Sequence, residues 1–305
     1  MNNIKVDRTG ILAVFVTILG WSSAGIFINL LPNLDVLYIV SIRLMISLFI
    51  IFPLLFILKK NIISYLKELK NINTWLLGLV LFFCYLFGTL AFQMAPVGEV
   101  TILMTLSPLF VIIFKLFIGD LVKKVEIIGV FLALIGVFFI TFNQLSLEEF
   151  SSSSRLIGNI IALMVSVFLA LYAMWSRSLN KKDKLPNTFS IAISTFIIGS
   201  FLFVFIMFKD RELMDSVEFE YISIIYLFAI SIISTTIPTI CYSIASKHLS
   251  PVITTSILLL QPLFAMILAA LFINEIPSLL VLPGFIFILI GLLFIIYTKK
   301  RSPKE

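Results

Sequence analysis

Long apolar runs alternate with short polar ones along almost the whole chain. Ten runs of spanning length are read, at roughly 10–31, 37–58, 75–93, 97–118, 126–142, 156–176, 188–208, 221–246, 251–273 and 277–297. A transmembrane helix needs about 20 apolar residues. Within the runs the apolar positions are continuous, without the ten-residue alternation of a membrane β-barrel strand. The first run follows Lys5 and Arg8, and Ser22, Ser23 and Ala24 imitate a signal-peptide cleavage site. It continues to Leu31, longer than a signal core, and so reads as a first helix. The pattern predicts an all-α integral membrane protein with ten transmembrane helices.

Composition agrees. Of 305 residues, 61% are hydrophobic and 12% charged, and the mean hydropathy is +1.16. A single soluble core of this length cannot bury that much apolar surface. A soluble enzyme, a nucleic-acid binder and a secreted disulfide scaffold are excluded on this ground. Cys84 and Cys241 lie inside apolar runs, away from any metal-ligand spacing, and His248 is the lone histidine. The chain carries no HExxH, no P-loop, no GxGxxG and no mid-membrane pair of carboxylates. No catalytic residue, metal or cofactor is therefore expected.

The basic residues set an orientation. With the N-terminus inside, the inner segments hold Lys5, Arg8, Lys59, Lys60, Lys67, Lys70, Lys115, Lys123, Lys124, Arg177, Lys181, Lys182, Lys184, Lys247, Lys299, Lys300, Arg301 and Lys304. The outer segments hold only Arg155, Lys209 and Arg211, and the acidic loop near 209–220 falls outside. Both termini are thus expected in the cytoplasm and the chain in the cell membrane.

The chain also repeats itself. Residues 91–140 match residues 245–295: Ala91 meets Ala245, Thr101 meets Thr255, and Ser107-Pro108-Leu109-Phe110 meets Gln261-Pro262-Leu263-Phe264. One inserted residue later Asp120 meets Glu275, Gly129 meets Gly284 and Gly136 meets Gly291. Residues 1–145 and 146–305 would each hold five spans. Five is odd, so the second half enters from the opposite side, as two inverted five-helix repeats.

On these residues the sequence resembles the drug/metabolite transporter superfamily, EamA type, over nearly its whole length. Members usually carry a glutamate after helix 4 as well as after helix 9; Asp120 stands in the first position here. The resemblance implies transport of small molecules, with spans 1 to 4 and 6 to 9 around a central cavity and spans 5 and 10 as packing supports. It names no substrate.

Several residues are candidates to bind one. Arg43 is a basic residue well inside a span, where an arginine costs roughly 2.5–3.5 kcal/mol on insertion scales. It reads as a cation for a substrate carboxylate or phosphate, as a gate pairing with Glu99, or as a fixed bridge or snorkelled side chain. Trp21 sits midway through its span, outside the interfacial belt, as a wall of a cavity or a packing residue. Tyr85, Tyr172 and Tyr242 are similar candidates. Gln93, Thr101, Thr105, Thr236 and Gln261 offer hydrogen bonds to a ligand or to neighbouring helices. Pro108, Pro238 and Pro262 each remove a helix N–H, giving a hinge or a static kink. Glycines 129, 136, 284 and 291 read as packing faces, between halves or between copies in a homodimer.

The expected function is a secondary transporter, an exporter of small organic metabolites with amino acids foremost, working by alternating access. A non-transporting scaffold or channel, and a membrane-embedded lipid enzyme, are the rivals. Partners are a small-molecule substrate and the bilayer, with no nucleic acid.

Overall fold

The computed structural model describes residues 7–142, 153–209 and 221–272, and beyond them residues 283, 284, 286–291 and 294. Among these residues every regular element is helical. The long helices are α1 (Arg8–Asn29), α2 (Val36–Ile57), α3 (Ile72–Met94), α4 (Val97–Ile118), α5 (Lys124–Phe142), α6 (Ser153–Lys181), α7 (Thr188–Lys209), α8 (Tyr221–His248) and α9 (Pro251–Phe272). Eight of them, all but α5, are long and apolar enough among the described residues to cross a membrane. The predicted tenth span, 277–297, lies mostly outside the described residues, as do Glu275 and the acidic stretch 210–220; residues 286–291 are helical.

Polar residues at the span ends start and stop the helices. Asp7 accepts from the amides of Thr9 and Gly10, Asp35 from Leu37, and Asn71 from Asn73. Each satisfies donors that have no partner inside the helix. Pro251 opens α9, where its missing N–H costs nothing. Gly119 closes α4 at φ 77°, in the left-handed region that a glycine enters without strain. Asp7 also meets His248 at 2.6 Å, tying the start of α1 to the end of α8. The hydrogen bond with His248 holds the Asp7 carboxyl below its ordinary value.

Four helices are interrupted near mid-span. α1 breaks at Ser23 between Arg8–Ser22 and Ala24–Asn29. α4 breaks at Thr105 and Leu106, just before Ser107-Pro108. α9 passes through a 3-10 turn at Leu258–Leu260 just before Gln261-Pro262. α8 widens into a π-turn at Ile232–Thr236 just before Pro238. In α4, α8 and α9 the proline ring forbids the ordinary i to i−4 hydrogen bond, and the chain answers with a tighter or a wider turn; the break in α1 has no proline in its own helix.

The long helices of the two halves pack against each other. α3 runs along α6, α1 along α8 and α2 along α7, while α4 touches both α6 and α9 and α1 touches α9. Exchanging the halves turns the α1–α8 contact into α6–α3 and α1–α9 into α6–α4. Both are present. The outside of the bundle is apolar: Phe49, Phe117 and Phe201 are all more than 60% exposed.

The glycine faces meet inside one chain. A Cβ at Gly136 would fall 2.3 Å from the Gly284 carbonyl oxygen, and one at Gly291 would fall 2.4 Å from that of Gly129. The two contacts correspond: exchanging matched positions turns Gly136 on Gly284 into Gly291 on Gly129. Backbones this close leave no room for a methyl group. Gly136→Ala is therefore expected to destabilise the protein by about 1–3 kcal/mol, the usual range for overpacking. Gly88, where a Cβ would meet only the mobile end of Met104 at 3.1 Å, should tolerate alanine. Thermal unfolding of both variants in detergent checks the contrast.

Candidate functional site

The interruptions surround a narrow, partly open cavity in the middle of the bundle. α1 contributes Trp21, Ala24 and Ile28, and α2 contributes Arg43. α3 presents Cys84, Tyr85, Gly88, Thr89 and Phe92, spaced by three and four residues so that they share one face. Met104, Val165, Leu169, Ser234 and Gln261 complete the wall from α4, α6, α8 and α9. Both halves of the chain build it.

Hydroxyls from the first half cross-link to the distorted turns of the second. Ser22 donates to the Gln261 carbonyl at 3.1 Å, and Ser47 to the Ser231 carbonyl at 3.0 Å. Ser23 and Ser234 share a hydrogen bond at 2.7 Å. Within the π-turn Thr235 and Thr236 bond back to the carbonyls of Ile230 and Ser231. The Tyr85 hydroxyl accepts from Trp21 Nε1 at 3.3 Å and lies 2.5 Å from Thr239 Oγ1. Away from water an unbonded polar group costs several kcal/mol, roughly, so these links hold the broken helices in register.

Arg43 is 2% exposed. Its guanidinium carbon stands 4.7 Å from the centre of the Tyr85 ring, and Nη2 donates to the Tyr85 carbonyl at 3.2 Å. Its Nε is buried without a hydrogen-bond partner. Glu99, expected near the surface and as a possible partner of Arg43, is instead buried and paired elsewhere. Arg155 grips it with Nε at 3.0 Å and with Nη2, and Asn159 Nδ2 donates at 3.1 Å. The predicted sixth span starts at 156, whereas α6 begins at Ser153 and so carries Arg155 into the bundle.

Of the other predicted residues, Trp21, Tyr85 and Gln261 line the cavity with Arg43. Tyr242 lies between Trp21 and Tyr172, its ring tilted to both with centroids at 5.0 and 5.3 Å, forming a layer behind the wall. Its hydroxyl donates to the Leu169 carbonyl, and that of Tyr172 bonds Ser243. Thr101, Thr105 and Thr236 spend their hydroxyls on carbonyls of their own helices. Gln93 sits in a second, more open concavity with Asn29, Asn33 and Asp35, and donates to the Leu34 carbonyl at 2.8 Å. The two spaces share Ile28. Apart from Tyr85, the α3 face (Cys84, Gly88, Thr89 and Phe92) and Val165 with Leu169 were not anticipated. Their three- and four-residue spacing is visible in the sequence, but nothing there separates a cavity face from a packing face.

The family model described as the EamA-like transporter family matches residues 8–142 and 156–297. A protein called "Uncharacterized transporter", from Clostridium kluyveri, is 28% identical over 204 residues, which is 66% of this chain and 64% of that relative's length. A solved crystal structure shares the fold with a TM-score of 0.76 at 16% identity, over 96% of this chain and 99% of its own.

The buried ion cluster has a measurable signature. Arg155→Met leaves the Glu99 carboxylate buried with Asn159 alone, and breaking such a pair costs about 3–5 kcal/mol. Adding Glu99→Gln should restore part of that loss. Thermal or denaturant unfolding of the single and double variants in detergent reads the difference.

Proposed function

We propose that this chain, which belongs to the EamA-like transporter family, carries a small organic metabolite across the cell membrane by alternating access. Membership of that family makes it a multi-pass membrane protein of a transporter class, and the transporter-named relative agrees. The observation that carries the finer reading is the cavity itself. It lies where interrupted helices from both halves meet, the place where transporters built from repeats hold their substrates.

In this reading residues 1–145 and 146–305 are inverted repeats. Support comes from the interhelical contacts, which map onto one another when the halves are exchanged, and from the corresponding glycine contacts. The broken turns before Pro108 and Pro262, and the π-turn before Pro238, are the hinges. Lysines cluster at the end of the bundle that carries 58–71 and 182–187, which we assign to the cytoplasm together with both termini. The mostly apolar wall suits a compact metabolite, amino acids foremost, over a multiply charged phosphate compound. Export is the direction we favour.

Purified protein in proteoliposomes should show saturable flux that selects among metabolites. Ala24→Trp, which fills the cavity from α1, is expected to lower kcat/KM at least about tenfold, equivalent to about 1.4 kcal/mol. Unsaturable flux that treats all compounds alike would instead indicate a channel, and absence of any flux a scaffold.

A further inference from the structure

The cavity holds a permanent positive charge and, among its described lining residues, no acid. Arg43 makes no ion pair among the described residues, and the buried acid Glu99 is already committed to Arg155 and Asn159. Of the five guanidinium N–H groups, one donates to the Tyr85 carbonyl, while Nε is buried with no partner. A group so placed is poorly satisfied. A planar anion accepting from two N–H groups at once is the ligand whose geometry matches that fork. The rest of the wall offers Trp21, Phe92 and Met104 to an apolar or aromatic body, and the Gln261 amide to one further polar group. A second negative charge would find no second cation there.

We propose that Arg43 is the carboxylate-recognition residue of the cavity, and that the ligand is a monocarboxylate with a compact apolar or aromatic body whose carboxylate, not an amino group, is what the site reads. The inference rests on the transport reading of the same cavity and narrows its substrate class. Binding brings a single anion to a single buried cation, so the occupied cavity is neutral. The amino group of an amino acid is tolerated and not required, because no carboxylate faces it.

Three probes of one shape test this by thermal stabilisation of the purified protein: 3-phenylpropanoate, its neutral amide 3-phenylpropanamide, and phenylalanine. Charge-assisted hydrogen bonding predicts a Kd for the acid at least about tenfold below that of the amide. Phenylalanine should bind no more tightly than the acid. In Arg43→Gln the preference for acid over amide should collapse, and in Arg43→Lys it should weaken but keep its sign. Should Arg43→Gln fail to fold, the parent series still decides. Equal stabilisation by acid and amide, stabilisation by none of the three, or an acid preference untouched in Arg43→Gln overturns the assignment. Flux measured beside binding separates the two readings. Saturable flux without acid preference sinks the carboxylate site alone. Acid-selective binding without saturable flux supports that site and sinks the transport reading.

Discussion

A polar group kept from water must find its partner inside the protein, and this constraint shapes the bundle from its helix ends to its centre. At the ends the answer is local: Asp7, Asp35 and Asn71 cap the amides just after them. At the centre it is not. The prolines of α4, α8 and α9 disturb the hydrogen-bond ladder in the middle of three helices, and α1 breaks beside them. Hydroxyls on α1, α2 and α3 reach across to carbonyls of α8 and α9. Disturbed backbone is tolerable in this region only where protein or a water-filled cavity surrounds it, so the breaks and the cavity occur together.

Arg43 and Glu99, both buried, show opposite solutions. Glu99 is enclosed by two groups from α6 and leaves no oxygen short of a donor. Such a carboxylate joins the first half to the second. Arg43 has the face of an aromatic ring and one carbonyl, and its Nε remains unmatched. A complete pair costs desolvation and recovers it in mutual attraction; an incomplete one stays costly until something else completes it. Completeness is what separates a structural charge from a binding one here.

Much of the architecture was legible along the chain. Apolar runs, basic flanks and the matched proline and glycine positions place the spans, because partition into lipid and helix formation depend on residues near each other in sequence. The span read at 126–142 begins two residues inside α5, and that at 156–176 begins three residues inside α6. The second of these offsets hid Arg155, since one turn of helix decides whether a charge lies in a loop or in the bundle. The candidate site was legible in part. Trp21, Arg43, Tyr85 and Gln261 stood out as polar or amphipathic groups in apolar surroundings, and all four line the cavity. Thr101, Thr105 and Thr236 stood out equally and bond their own helices.

By itself the sequence determined that the chain is helical, apolar and interrupted by proline at corresponding places in its two halves. Only the tertiary structure decided which interruptions meet and which charge is answered. Trp21 and Tyr85 are 64 residues apart, and Glu99 and Arg155 are 56. Local pattern sets which face of a helix avoids lipid, but a partner's identity depends on how helices rotate and slide against one another. Those choices are made by packing, and no spacing along one helix records them.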